Sequence, residues 1–413
     1  ISTRDHKEYD KELEKGDFEI AIIVYEKFFS LLNASTKFLD QIGVIVIDEL
    51  QLLSDPSRGS NLELILTKLN MLRNQFQLIG LSAVLGKTSL VDKWLDIDLL
   101  QYNRRPVELR TGYLYDGVFH YQTYNGQETG EEVLLTQSPA EKHDILIAAV
   151  SQLADSGEQS LIFLMDKTKT RTTARHIADN IDLHPAEEAL EELSHLEATI
   201  SNEELAQVLS AGVAFHHADL TIEERLLVER HFRKGNIRVL VSTTTLAMGV
   251  NLPTRNVFIE LRKWHSQPGE VRPVLVDLTK ADFENMGGRA GRFQLEDEFG
   301  RAIAVVNRKV ERDQFRHKYL DGELEGIEPN LWRDSMATTV LGIIALGGCK
   351  QIEEVRSFLR NTLTWYLHRK DGVELEKLNE QLERGISDCI QVGVLHQTDQ
   401  NELTLTDLGE TVA

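Results

Sequence analysis

Short runs rich in Val and Ile recur along the chain, with longer helical patterns between them. IAIIVY (20–25), VIVID (44–48), FQLIGL (76–81), SLIFLM (160–165), VAFH (213–216), IRVLVS (237–242) and AIAVV (302–306) are the runs. A strand of a parallel sheet is buried on both faces, so it reads as an unbroken apolar run, and each of these predicts such a strand. NLELILTKLNMLRNQ (61–75), KTRTTARHIADNI (169–181) and IEERLLVERHFRKG (222–235) predict the helices that cross over between them. Strand–helix alternation of this kind defines an α/β chain.

The alternation breaks near NRRPVELRTGYLYDG (103–117), at Pro106, so two sheets are expected. After about residue 325 the strand pattern gives way to three helical stretches and a short LTLTDLG run, the order of a winged helix. Two cysteines, Cys349 and Cys389, make no disulfide framework and suit a reducing cytoplasm. The longest apolar runs, such as IGVIVI (42–47), are too short to span a bilayer, and no membrane association is expected. The chain opens on Ile1, which reads as a processed chain or a piece of a longer one.

A net charge of −21 argues against indiscriminate binding of nucleic acid over the whole surface, yet leaves room for a local basic channel. The stretch 187–205 carries seven Glu and no Lys or Arg, and is expected as a solvated helix face.

VIVIDELQ puts Asp48 and Glu49 at the C-terminal end of an apolar strand, the edge where open parallel sheets bind ligands. A nucleotide-hydrolysing site needs one carboxylate for Mg²⁺ and a second group to orient the attacking water, and adjacent acids can divide those roles. The pair is equally compatible with a strand leaving the core on polar residues. NMGGRAGRF (285–293) follows a helical pattern that places Arg289 and Arg292 on one face. Its glycines Gly287, Gly288 and Gly291 weaken a helix and point to close approach of something to the backbone. Two arginines beside bare backbone suit a terminal phosphate. STTTLAMGVNLP (242–253) offers hydroxyls for a phosphate chain, with Gly249 and Asn251 able to face a nucleotide, although such loops are commonly helix caps.

GLSAVLGKTSL (80–90) imitates a phosphate-binding loop through Gly80, Gly86, Lys87 and Thr88. Five residues separate the glycines where the pattern needs four, so the amide cradle is not expected to form. His216 and His217 are adjacent on a strand and point to opposite faces, which disfavours a shared metal. Phe358, Trp365 and Tyr366 fall at helical spacing and are expected in the core.

Together these stretches resemble the superfamily-two DExH helicases of the superkiller-like branch. The resemblance is closest to the DNA-repair group that contains HelQ and the helicase domain of polymerase theta. VYEK (24–27) looks like motif Ib, DELQ (48–51) motif II and SAV (82–84) motif III. AFHHADL (214–220), TTTLAMGVNLP (243–253) and NMGGRAGR (285–292) look like motifs IVa, V and VI, and SRG (57–59) and RRPVEL (104–109) also fit. The set is in the family's order and covers nearly the whole chain. The GKT stretch then belongs to motif III, not to a phosphate loop.

The resemblance implies two RecA-like domains, the first lacking its phosphate loop, then a winged helix. The expected limits are 1–105, 106–325 and 326–413. It implies ATP and Mg²⁺ as cofactors, with Asp48 holding the metal and Glu49 orienting the water. Arg289 and Arg292 would be arginine fingers, with Gln51, Ser82, Gly249, Asn251 and Asn285 near the nucleotide. Tyr25, Glu26, Lys27 and Arg58 would line the strand track on lobe one. Thr168, Arg171, His216, His217, Thr243, Thr244 and Thr245 would line it on lobe two. A β-hairpin within 256–278 would split the duplex, with Trp264 stacking on the last base pair. The partner implied is single-stranded or forked nucleic acid, DNA before RNA, met by a monomer in the cytoplasm, or in the nucleus of a eukaryote. Movement would run 3′ to 5′, and the chain alone is not expected to hydrolyse ATP.

Three positions depart from the family pattern: Gln51 replaces His, Asn285 replaces Gln and Val84 replaces Thr. Gln and Asn keep a hydrogen-bonding amide, whereas Val84 lacks the hydroxyl, so altered coupling between hydrolysis and movement is expected. An RNA helicase of the same branch and a non-catalytic clamp or scaffold are the alternatives.

Overall fold

The computed structural model describes residues 10–34, 36–72, 76–84, 86, 90–244, 252–265, 274–291, 298–329, 331, 335–369 and 375–412. Two compact units emerge, residues 1–100 together with 326–413, and residues 101–325.

In the first unit, β1 (Val44–Ile47) and β2 (Gln77–Gly80) pair in parallel, with Ile47 opposite Gly80. The helix Gly59–Met71 crosses between them and buries Leu62, Ile65, Leu66 and Leu69, the one-sided spacing of an amphipathic helix. The same core takes in Val340, Ile343 and Ile344 of the helix Met336–Gly347. It also takes in Val355, Phe358 and Leu359 of the helix Ile352–Arg360. Two polar contacts fasten these segments. Glu63, fully buried, accepts from the Thr364 amide at 2.6 Å and its hydroxyl at 2.9 Å, and the Trp94 indole donates to the Asn361 carbonyl at 2.7 Å. The helix Leu375–Val392 leads to an antiparallel pair, Leu395–Gln397 with Leu403–Leu405. Phe358 and Trp365 are buried and Tyr366 packs against the core.

The run 20–25 does not form a strand. Only Ile23 makes an isolated bridge, and Tyr25 opens the helix Tyr25–Ala34, whose Phe28, Phe29, Leu31 and Leu32 carry the buried face. Periodicity in the following residues overrides the apolar run. EEVRSFLRNTLTWYLHRK (353–370), which reads as one of the three helical stretches after residue 325, falls in two helices, Ile352–Arg360 and Leu363–His368, because Asn361 and Thr362 interrupt it and the Thr362 hydroxyl caps the Trp365 amide.

The second unit is built on β3 (Glu108–Tyr115), β4 (Val118–Thr123), β5 (Thr129–Val133), β6 (Ser160–Leu164), β7 (Val213–His216), β8 (Val239–Thr243) and β9 (Asn256–Ile259). A small antiparallel pair, β10 (Arg262–His265) and β11 (Val274–Asp277), comes next, followed by β12 (Phe299–Val305). The main sheet has the order β5-β4-β3-β12-β9-β6-β8-β7. Six neighbouring strands from β3 to β7 run parallel, and β4 and β5 extend the edge antiparallel. That extension escaped the reading of 103–117 as a mere break. Its signal is Asp116-Gly117, both at positive φ (50° and 77°), the two-residue turn that matches strand twist in a hairpin.

The acidic stretch is also not one solvated face. It forms two helices, Glu187–Ser194 and Ile200–Leu209. Glu192 pairs with Arg230 and His231 at 3.0 Å, and Glu204 with Arg171 at 3.1 Å. Both cysteines are free and buried. No helix among the described residues is long and apolar enough to cross a membrane.

Candidate functional site

Asp48 and Glu49 leave the C-terminal end of β1, where the sheet ladder continues one step through Leu81 N to Ile47 O at 2.8 Å. Glu49 sits in the left-handed region at φ 55°, an uncommon conformation for a residue with a side chain and one that clusters at functional sites. Its amide donates to Asp48 Oδ1 at 2.9 Å, which stitches the two acids together. Gln51 Nε2 donates to the Glu49 carboxylate, and Gln51 Oε1 accepts from the Ser82 hydroxyl. Ser82 Oγ also lies 3.2 Å from the Val84 carbonyl. One chain of hydrogen bonds therefore joins the loop after β1 to the loop after β2.

Gly80 closes β2 rather than opening a phosphate cradle. A Cβ there would lie 2.3 Å from Leu50 Cδ1, so the glycine admits the leucine that packs over the strand end. Lys87 and Thr88 lie outside the described residues.

Tyr25 is the first residue of its helix, and its hydroxyl donates to the Asp48 carbonyl. Burial, with the Asp48 and Glu49 charges, raises the tyrosine pKa well above its usual value and keeps the hydroxyl a donor. Glu26 is exposed and Lys27 half-buried. Arg58 stands at the start of the helix Gly59–Met71, on a turn organised by Asp55. Asp55 Oδ1 accepts from the Ser57 and Arg58 amides at 2.9 and 3.0 Å and from the Ser57 hydroxyl at 2.7 Å. Asp55 escaped the sequence reading, although Asp-Pro-Ser is a turn signal.

In the second unit the candidate residues fall at opposite ends of the parallel strands. Thr168 and Arg171 follow the C-terminal end of β6, on the helix Lys167–Asn180. His216 closes β7 with His217 after it, and Thr243 closes β8 with Thr244 after it. Both histidines are buried. His216 Nε2 lies 3.0 Å from Glu229 Oε1, while His217 stacks on Phe215 with ring centres 5.4 Å apart. Burial lowers the His217 pKa, which favours the neutral ring. Among the described residues no group of three or more His, Cys, Asp or Glu is placed to hold a metal.

The Arg289 turn lies at the N-terminal ends of β9 and β12. The helix Lys280–Gly287, closed at its start by a capping box of Thr279 and Asp282, ends before it, so Arg289 stands in a turn. The expectation of one helix face shared with Arg292 is corrected for this reason, and Arg292 itself lies outside the described residues. The turn is tied to the start of β9: the Thr254 amide donates to the Arg289 carbonyl at 3.3 Å, and the Gly291 amide to the Thr254 carbonyl at 2.9 Å. A Cβ on Gly291 would lie 2.6 Å from the Gly300 nitrogen, and one on Gly287 would lie 2.9 Å from the Ala302 Cβ. The close approach that these glycines permit is therefore made by β12 of the same unit. Asn285 is half-buried on the helix.

Trp264 is half-exposed on β10, opposite Leu275. Of the expected pair of strand-like runs, the first splits: 256–259 joins the main sheet and only 262–265 enters the hairpin. The hairpin's turn, Thr245, Gly249 and Asn251 lie outside the described residues.

The acid pair fits Mg²⁺, a hard cation that keeps several waters and takes one or two carboxylates. Asp48 is exposed at the strand end, whereas the Glu49 carboxylate is already engaged by Gln51.

Residues 1–91 match the family model for the DEAD/DEAH box helicase, and residues 141–294 match that for the helicase conserved C-terminal domain. The two matches lie in the two units, and the chain belongs to the superfamily-two helicases, with two RecA-like domains. Among curated proteins it is similar to the ATP-dependent DNA helicase Hel308 of Pyrobaculum calidifontis, at 34% identity over 100% of this chain and 57% of that protein. The Hel308 of Caldivirga maquilingensis is 32% identical over 100% of this chain and 53% of its own length. That of Pyrococcus horikoshii is 32% identical over 91% and 50%. The chain spans about half the length of these relatives.

Proposed function

We propose that this chain is the core of a Hel308-like, HelQ-group helicase of the superkiller-like branch, which uses ATP hydrolysis to move along one DNA strand and open forks. The chain of hydrogen bonds from Glu49 through Gln51 to Ser82 carries the reading, because it organises a water-orienting carboxylate beside a metal-binding one. Relatives named ATP-dependent DNA helicases, matched along the whole chain, support it.

Asp48 would hold Mg²⁺, which neutralises phosphate charge. Glu49, fixed by Gln51 and by its own backbone, orients water. Ser82, Asn285, Gly249 and Asn251 would face the nucleotide, and Arg289 and Arg292 would offset the charge that develops on the terminal phosphate. Tyr25, Glu26, Lys27 and Arg58, with Thr168, Arg171, His216, His217 and Thr243 to Thr245, form the strand track. The hairpin at Trp264 parts the duplex. We divide the chain into lobe one (1–105), lobe two (106–325) and a winged helix (326–413). Val44 and Val46 are exposed on one face of the two-stranded sheet, and Ile20 and Ile22 are exposed as well. These apolar surfaces support completion of lobe one, with its phosphate loop, by residues outside this chain.

Displacement of labelled strands from forks with 3′ or 5′ tails, in DNA and in RNA, tests the proposal on the protein with a complete lobe one. ATP-dependent opening of the 3′-tailed DNA fork is expected. Binding without displacement would favour a clamp, and opening of RNA forks alone would move the substrate to RNA.

A further inference from the structure

The residues on either side of Arg289 are gripped by a second arginine. Arg105 Nη2 donates to the Gly288 carbonyl at 3.3 Å and to the Ala290 carbonyl at 3.0 Å. A guanidinium is planar and always charged, so it can bridge two carbonyls and hold their spacing. Arg105 is held in its turn by Asn125. The Arg105 amide donates to Asn125 Oδ1 at 2.8 Å, and Asn125 Nδ2 donates back to the Arg105 carbonyl at 3.1 Å. The Tyr124 ring lies 5.9 Å from the guanidinium, and the Asn125 amide donates to Glu108 Oε1 at 3.0 Å.

The Arg289 turn is thus fastened from two sides. Thr254 holds it through backbone hydrogen bonds, and Arg105 holds it through a side chain. Arg105 also has a particular place in the chain. Residues 101–104 are exposed, and Arg105, half-buried, comes next. The segment that enters the second unit therefore makes its grip on the turn with its fifth residue.

We infer that Arg105 is a positioning residue for Arg289, setting the turn from which that arginine acts, and that the β4–β5 hairpin exists in part to hold Arg105 in place. The inference rests on the proposed function, in which Arg289 acts on the terminal phosphate. A residue that fixes a transition-state group affects kcat more than KM, whereas a purely structural contact has no reason to separate them.

Two measurements test it. In the protein with a complete lobe one, steady-state ATP hydrolysis with single-stranded DNA is compared for wild type, Arg105→Ala and Arg105→Lys. Arg105→Ala is expected to lower kcat about tenfold with KM within about twofold, and Arg105→Lys, a point donor, to recover part of the loss. On this chain alone, hydrogen exchange is followed at the amides of Arg289, Ala290 and Gly291 in Arg105→Ala and Asn125→Ala. These amides, bonded to Met286, Gly287 and Thr254, should exchange about tenfold faster, while those of β6 and β8 stay unchanged. Unchanged exchange at the turn, or unchanged kcat and KM in Arg105→Ala, overturns the inference. A wild-type protein without ATP hydrolysis would sink the functional proposal instead, leaving the exchange result to decide whether Arg105 holds the turn.

Discussion

Gln51 joins Glu49 to Ser82, donating to the carboxylate through its amide nitrogen and accepting the serine hydroxyl through its oxygen. A glutamine can do both at once because its amide carries donor and acceptor. The departure from the family's His at this position therefore preserves a link between neighbouring strand ends. The other departure in the loop, Val84, contributes its backbone carbonyl to the same chain while its side chain is buried.

Replacing Gln51 by Ala should free the Glu49 carboxylate. ATP hydrolysis by the protein with a complete lobe one is expected to fall about 10- to 100-fold, the loss typical of removing a hydrogen bond that orients a group at a metal site. Binding of single-stranded DNA, measured by anisotropy, should be unchanged.

Glu63 makes the first unit sensitive to pH. Burial pushes its pKa up to about 7, and the Thr364 amide and hydroxyl pull it only partly back. A carboxyl whose folded pKa lies above its unfolded value stabilises the fold fully below the unfolded pKa, near 4.5, and loses that contribution as pH rises through about 7. Urea melts should show the unit weaker at pH 8 than at pH 5, with Glu63→Gln removing a loss of up to about 3 kcal/mol. Identical pH dependence in both proteins would show that Glu63 does not titrate in this range.

Gly291 holds φ 63° with Gly300 backbone against it. Gly291→Ala adds a Cβ to a conformation that L residues rarely adopt and forces it onto main chain that cannot rotate away. A loss of about 1–3 kcal/mol in the second unit is expected by chemical denaturation. A neutral substitution would mean that β12 and the turn can separate freely.

Each cation in the KTKTR opening of the helix Lys167–Asn180 already has a carboxylate: Lys167 with Asp219, Lys169 with Glu260 and Arg171 with Glu204. Phosphates must compete with these acids. Asp219→Asn should tighten single-stranded DNA about threefold and steepen the salt dependence by about one unit, as one more cation becomes available. No change in the salt slope would place Lys167 off the track.

The strands β6, β7, β8 and β12 were legible because both of their faces are buried, which leaves unbroken runs such as SLIFLM and IRVLVS. The antiparallel β4 and β5 were not. Their residues are mostly half-buried or exposed and carry no such run, although Asp116-Gly117 marked the hairpin between β3 and β4. Glu49 and Asp48 were placed by their position after β1, but the left-handed backbone of Glu49 leaves no mark in the sequence. The run around Arg289 reads as a helix in sequence, whereas the helix ends at Gly287, and Gly287 and Gly291 admit β12. Arg105 could not be assigned from sequence, since its partners Gly288 and Ala290 are more than 180 residues away and offer only main chain.

In the proposed function Glu49 orients the water for a DNA-stimulated ATP hydrolysis. Its most direct test is steady-state hydrolysis by the protein with a complete lobe one, wild type against Glu49→Gln, with and without single-stranded DNA. Turnover is expected to rise with DNA in the wild type and to fall at least about 100-fold in Glu49→Gln, with ATP still bound. Turnover retained in Glu49→Gln, or absent from the wild type, would contradict it.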